Sequence, residues 1–519
     1  MPDIQVLGDI VRTHARGRPN RPAMVFAGRE TTYAQLDQRA NQVANGLLRE
    51  GLKPQTRIAV LDKNSDSFFE VMFGSAKANT VLVAVNWRLS PAEMAYIIND
   101  SLAEILFVGQ AYFDAVEKVR TTLTSVKKIM ALSGIHFEWD SYGRWRESQP
   151  TSDPAPSVDV QDVALQLYTS GTTGYPKGAQ LTHRNLLALM PTATQEWGHW
   201  SDDDVSLVCL PLFHIGGTGW ACIGFYAGAT AIILYDIDCA AMLRAISEHH
   251  VTRVFLVPAL LLFLLQTPGV EQTDFSSLVE ILYGASPIPL DLLRSAIKTF
   301  KCPFAQVYGL TETTGGITYL GTEEHEIQDN PRLSSCGKPA DSVQLRIVDA
   351  ADNPLAPGQV GEIICRSPQI MKGYWNLPDE TARAIRGEWF YTGDAGYLDS
   401  DGFLYIHDRI KDMIVSGGEN IYPAEIESVL FSHPAVADVA VIGVPDDVWG
   451  EAVKAVVVKR RGSDVTPEEI IDFARERIAH YKAPKSVDFV DALPRNPSGK
   501  ILKRELRAPY WEGRARQVN

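Results

Sequence analysis

Tyr168-Thr169-Ser170-Gly171-Thr172-Thr173-Gly174-Tyr175-Pro176-Lys177-Gly178 follows a short apolar run at 163–167. Hydroxyl-bearing and small residues dominate it. Such a loop lets backbone N–H groups close around phosphate oxygens, and Lys177 can add a point charge. It is not a Walker A loop, because Gly171 and Lys177 are misplaced for that spacing. On composition alone, a flexible surface loop is the competing reading.

Outward from the loop, the chain alternates. Apolar runs at 57–61, 81–85, 105–108, 205–210, 231–235, 254–257 and 278–283 read as strands, with helix-like stretches between them. That alternation predicts an α/β fold, layered, with largely parallel sheets. Thr32 and Gln35 have capping-box spacing, Leu36 to Leu48 repeats at helical period, and Gly51 supplies a stop. After about residue 408 the texture changes. Two β-rich runs, 439–444 and 452–458, flank the turn signal Pro445-Asp446-Asp447. A helical pattern at 467–479, a strand-like run at 486–490 and the polar loop 494–500 follow. These suit a small α+β module. The expected layout is a large N-terminal domain of layered α/β subdomains over 1–408, a hinge at 409–411, and a small mobile C-terminal domain over 412–519.

Bulk properties bound the function. A chain of 519 residues, 45% hydrophobic and 22% charged, is long enough for several cores. A net charge of −14 excludes a dedicated nucleic-acid binder, which needs a basic footprint. The six cysteines form no CxxC pair, so buried reduced thiols of a cytoplasmic protein are expected, not a zinc site or disulfide framework. The first residues lack the apolar core and cleavage site of a signal peptide. The greasiest run, 254–265, is broken by Pro258 and is too short to span a bilayer; it reads as a buried strand and a helix start. Peripheral membrane contact and a homo-oligomer are left open.

Further motifs follow the loop in order: Pro211-Leu212-Phe213-His214, Tyr283-Gly284-Ala285-Ser286, Gln306-Val307-Tyr308-Gly309-Leu310-Thr311-Glu312, Tyr391-Thr392-Gly393-Asp394, Asp408-Arg409-Ile410-Lys411-Asp412, Gly417-Gly418-Glu419-Asn420 and residues 494–500. With the glycine-rich loop, this set resembles the adenylate-forming superfamily across most of the chain. The nearest likeness is to fatty-acyl and aryl acyl-CoA synthetases, AMP-forming ligases. The resemblance implies that ATP activates a carboxylic acid as an acyl-adenylate, and that coenzyme A then takes the acyl group.

Roles carry over residue by residue. Joining two anions requires positive charge and alignment. The resemblance gives Thr169, Ser170, Gly171, Thr172 and Thr173 to the ATP phosphates, with Lys177 nearby. Gly284, Ala285, Ser286, Tyr308, Gly309 and Thr311 go to the nucleotide, Tyr308 as the adenine stack. Glu312 is implied as the Mg²⁺ ligand, Asp394 as the ribose contact and Arg409 as a ribose or phosphate contact. The resemblance also implies that Lys500 bridges carboxylate and α-phosphate during adenylation. It further implies a rotation about Lys411 that would bring Gly417, Gly418 and Glu419 to the pantetheine channel. His214 resembles the family's position that gates the acyl entrance, and Ile215, Gly216, Gly217, Ala285, Val307, Gly315, Gly316 and Ile317 would line or border the acyl site.

No carboxylate follows His214 in Phe213-His214-Ile215-Gly216-Gly217-Thr218, although peptide-synthetase relatives use an Asp in this region to pair a substrate ammonium. An unpaired buried ammonium is costly, so the substrate is expected to be a fatty or aryl acid. Three alternatives stand beside this reading: a ligase loading a carrier protein, a luciferase-like oxygenase, and a non-enzymatic nucleotide-binding protein. Retention of Lys500, Glu312 and Asp394 argues against the last. His183 and the pair His249-His250 lack motif support and are expected to cap or to lie at the surface.

Overall fold

The structure is a computed structural model describing residues 4–169, 176–326, 330–409, 412–416, 419–446, 448–495 and 501–512. The expected capping box forms at Thr32, whose hydroxyl accepts from Gln35 N–H while the Gln35 side chain returns to Thr32 N–H. The apolar run broken by Pro258 becomes a buried strand, Arg253–Leu256, and a helix, Pro258–Gln266, with proline in its first turn.

Two large mixed sheets carry the main body. One has nine strands. Pro22–Phe26, Thr230–Ile233, Val205–Val208, Arg253–Leu256, Glu280–Gly284 and Phe304–Leu310 run parallel in that spatial order. Antiparallel strands close both edges, among them Gly315–Leu320. The other sheet has eight strands. Val163–Thr169 is parallel to Val81–Ala84 on one side and antiparallel to Lys177–Thr182 on the other. Parallel strands must be covered on both faces, which accounts for their near-continuous apolar sequences. The helix Asp66–Lys77 is buried along its whole length. Its Phe69 and Phe73 meet Phe225 of the helix Ile215–Ala227 edge-on, at ring separations of 5.0 and 5.4 Å. Truncating such a ring costs about 3–5 kcal/mol.

A third sheet does not follow from the strand–helix alternation. Gln344–Val348, Gly361–Arg366, Trp389–Leu398 and Leu404–Arg409 pair antiparallel, over a small core containing Ile347, Ile363 and Leu404. Beyond it, Val436–Asp446 and Gly450–Lys459 form a long hairpin, with Ser486–Phe489 added in parallel. This part has an apolar core of its own, including Ile426, Val441, Val457 and Ile470. The α+β character expected after residue 408 is therefore present. All six cysteines are free thiols, five of them buried. Among the described residues, no helix is long and apolar enough to cross a membrane.

His183 caps, though from the interior. It is 1% exposed, and its Nδ1 accepts Leu7 N–H at 3.0 Å, tying the first turn of the helix Leu7–Gly17 to the helix His183–Pro191. Burial pulls its pKa down to about 4. The unfolded chain takes up this proton near its ordinary value of about 6.5. The His183 contribution to stability is therefore full above that value and is lost as pH falls from about 6.5 towards 4. Asp62 acts in the opposite sense, since burial pushes its carboxyl up to about 6. The two separate by mutation: chemical denaturation of His183→Asn is expected to show a smaller loss of midpoint between pH 7 and pH 5 than the wild type. An unchanged slope would remove His183 from the pH response.

Candidate active site

The motif residues collect at the carboxyl ends of parallel strands, where open α/β sheets present loops to ligands. Val163–Thr169 ends at the glycine-rich loop. Glu280–Gly284 ends at Ala285 and Ser286, and Phe304–Leu310 leads into Thr311 and Glu312. Val208 leads through Pro211 to His214, which precedes the helix Ile215–Ala227. Thr169 and Glu312, 143 positions apart, meet at 3.3 Å between Oγ1 and Oε1. Ser170, Gly171, Thr172 and Thr173 lie outside the described residues.

Close backbone approach fixes several residue types. A Cβ on Gly284 would lie 2.3 Å from the Val307 carbonyl oxygen of the neighbouring strand. One on Gly217 would lie 2.3 Å from the Pro211 carbonyl oxygen. Ala285 is exposed and holds φ at +69°, a conformation costly for a residue with a side chain. Such strain concentrates at ligand sites.

Glu312 has a second partner. The Tyr374 hydroxyl donates to its Oε1 at 2.9 Å. Both contacts fall on the same carboxylate oxygen. Tyr374 is delivered by the short strand Gly373–Tyr374, which pairs with Ala179 and Gln180. Nearby, Met371 N–H donates to the Glu312 carbonyl, and the Gln369 side chain donates to the Gly316 carbonyl. Among the described residues no group of three or more His, Cys, Asp or Glu could hold a metal ion. A lone carboxylate suits a hard cation that takes few protein ligands and shares phosphate oxygens. Tyr374 escapes motif reading because a lone tyrosine has no chemical signature; its position after Gly373 in a Gly-Tyr pair was the only available clue.

Lys177 is buried, paired with Glu380 and set over the Tyr374 ring at 5.3 Å. It is thus held beside the loop by a carboxylate. Asp394 is also buried, and its Oδ2 accepts the Tyr308 hydroxyl at 2.6 Å. Antiparallel register sets Asp394 directly across from Arg409, bringing together two residues assigned to the ribose and phosphate side. His214 is half-buried. Its Nε2 is closed off from solvent and has no hydrogen-bond partner among the described residues, and burial, with Arg88 nearby, pulls its pKa down to about 4. It is therefore neutral at pH 7. Ile215 and Gly216 follow it, and a Cβ on Gly216 would meet Phe255 at 3.1 Å. Val307 and Gly316 lie across the same hairpin.

At the other end, Asp408 accepts Ala424 N–H at 3.0 Å and lies 3.6 Å from Lys503, which also pairs with Glu427 at 2.9 Å. Lys411, Gly417, Gly418 and Lys500 lie outside the described residues. Arg409 and Glu419 are described through their backbone, each in a strand. Arg495 and Ile501, on either side of the Lys500 loop, pair with each other.

Comparison with known proteins agrees with this arrangement. The family model of AMP-binding enzymes matches residues 11–375, and that of the AMP-binding enzyme C-terminal domain matches 425–500. The chain belongs to the AMP-binding enzyme family. Full-length relatives of this AMP-binding enzyme include the fatty acid–[acyl-carrier-protein] ligase ScoC of Streptomyces coeruleorubidus, 40% identical over 100% of this chain and 99% of that one. A feruloyl-CoA synthase of an Amycolatopsis species is 38% identical over 98% and 99%. Among solved structures, the anthranilate CoA ligase AuaEII in complex with anthranoyl-AMP superposes with a TM-score of 0.90 at 28% identity, covering 98% of each chain. The AMP-binding enzyme described here is accordingly an AMP-forming ligase of the acid–thiol class.

The Tyr374 contact makes a specific demand. Losing a hydrogen bond to a charged group costs about 1.5–3 kcal/mol. Tyr374→Phe is expected to lower kcat/KM for pyrophosphate release by about tenfold or more, and Glu312→Gln by more still. Wild-type rates in Tyr374→Phe would show that the bond does not orient Glu312 for the reaction.

Proposed function

We propose that this enzyme activates an apolar carboxylic acid, fatty or aryl, with ATP and passes the acyl group to coenzyme A. The observation that carries the reading is the meeting of Thr169 and Glu312 at the mouth of the glycine-rich loop, in a chain of this family. In the first step a substrate carboxylate oxygen attacks the α-phosphorus. A new P–O bond forms, the bond to the bridging oxygen breaks, and pyrophosphate leaves. Two anions must approach, so pre-placed positive charge lowers the barrier. Lys500 supplies it beside the reacting atoms, and Thr169, Ser170, Gly171, Thr172 and Thr173 cradle the phosphates. Mg²⁺, when bound, neutralises phosphate charge, and Glu312 is the residue that would hold it. Gly284, Ala285, Ser286, Tyr308, Gly309 and Thr311 border the nucleotide, and Asp394 with Arg409 takes the ribose side. Neutral His214 closes the acyl entrance without adding a charge the carboxylate would have to leave.

In the second step the coenzyme A thiol attacks the acyl carbon. A C–S bond forms as the thiol proton is lost to water, the C–O bond to AMP breaks, and AMP carries away the electron pair. Rotation of the C-terminal part about Lys411 withdraws Lys500 and presents Gly417, Gly418 and Glu419 to the pantetheine arm. Asp408, just before Lys411, is tied to Lys503 and Ala424 beyond it, so rotation about Lys411 has to exchange these contacts. A second reading, in which a carrier protein's phosphopantetheine replaces coenzyme A, is favoured by the full-length Streptomyces relative.

The deciding experiment offers fatty and aryl acids with ATP and Mg²⁺ to either coenzyme A or a phosphopantetheinylated carrier protein, with mass spectrometry of the thioester. Acyl-coenzyme A is the expected product. Acyl-adenylate that reaches only the carrier would establish the second reading, and pyrophosphate release with no acid would end both. Lys500→Ala should slow adenylation by about a hundredfold or more. Transfer from supplied acyl-adenylate to coenzyme A should be largely spared. Equal loss in both steps would refute this division of labour.

A further inference from the structure

Trp197 takes no part in the motifs, yet four features place it against the acyl side of the site. First, it ends a π-helical stretch, Thr192–Trp197, which begins directly after Pro191. Proline has no N–H to offer the carbonyl one turn back, so the regular ladder is interrupted there and continues in a wider form. Such wide turns are rare and recur at functional sites.

Second, the opposing hairpin is bulged. Val307 pairs with Tyr319 and Tyr308 with Thr318, but Gly309 pairs with Gly316, leaving Ile317 as the extra residue. Val307 and Gly309 share one face of their strand, so their partners Tyr319 and Gly316 share it too. Without the bulge those two would face opposite ways. Third, Trp197 covers this face. Its ring stacks on Tyr319 at 5.1 Å and 5°, and the Tyr319 hydroxyl donates to the Trp197 carbonyl at 2.7 Å. A Cβ on Gly316 would lie 3.2 Å from the indole and 3.4 Å from Val307. Fourth, Trp197 also borders a cavity of about 280 Å³ whose lining includes Glu196, Glu323, Lys338 and Asp341.

We propose that Trp197 is the end wall of the acyl pocket: it sets the longest acid the site accepts and separates the apolar pocket at Val307 and Gly316 from the polar cavity behind it. The inference rests on the acid-activating function proposed above and names what limits its substrate. Glycine at 316 is needed because any side chain there would press on the indole.

The test compares wild type, Trp197→Ala, Trp197→Phe and Gly316→Ala on two homologous series, straight-chain acids from butyrate to palmitate and para-alkylbenzoates. ATP-dependent pyrophosphate release is followed for each acid. Removing the indole should move the length cutoff upward, and acids just beyond the wild-type limit should gain roughly tenfold in kcat/KM, the value of about two newly buried methylenes. Trp197→Phe, which keeps a ring on Tyr319, should hold the cutoff near wild type. Gly316→Ala should move it downward, and it carries the test if Trp197→Ala does not fold. An unmoved cutoff, with activity scaled evenly along both series, would overturn the end wall while leaving acid activation intact. A wild type that releases pyrophosphate with no member of either series, nor with any other carboxylic acid, would instead sink the activation reading and this inference with it.

Discussion

Two sheets that share no strand meet at a carboxylate. Thr169 belongs to the eight-stranded sheet and Glu312 follows a strand of the nine-stranded one, and their side chains touch at 3.3 Å. In the function proposed above, the nucleotide phosphates lie at that junction, which neither sheet forms alone. The packing of Phe69 and Phe73 on Phe225 is part of the body's close-packed interior. A site built on strand ends inherits the rigidity of such an interior.

The segment 369–375 is a strap over the same point. Met371 bonds the Glu312 backbone, Gln369 reaches the Gly316 carbonyl, and Tyr374 holds the Glu312 carboxylate. Gly373–Tyr374 is an edge strand of the eight-stranded sheet, so one short piece of chain fastens the turn after Phe304–Leu310 to the other sheet. Lys177 joins this arrangement through Glu380, just after the strap. Burial beside a carboxylate fixes the direction of the lysine side chain.

Beyond the strap, the antiparallel sheet contributes by register. Asp394 and Arg409 are 15 positions apart in sequence yet directly opposed across two strands. The chain then passes to a part with its own core, anchored through Asp408, Lys503, Glu427 and Ala424. An ion cluster at this passage ties the chain before residues 410 and 411 to elements well after them.

The sequence by itself determined the local elements and the family. The capping box at Thr32, the strand and helix around Pro258, and the change of character after residue 408 all come from short-range rules: side-chain periodicity, the missing N–H of proline, and hydroxyls that satisfy helix ends. The hydroxyl-rich loop that follows Thr169 is read as phosphate-binding from contiguous sequence, and Ser170 to Thr173 lie outside the described residues. Only the tertiary structure decided which distant residues meet. The third sheet, the Tyr374 bond to Glu312, the buried bond of His183 to Leu7 and the stacking of Trp197 over Gly316 follow from strand order, edge pairing and a single bulged residue. A one-residue bulge reverses which face a side chain occupies, and no local propensity records which partner strand will lie beside it.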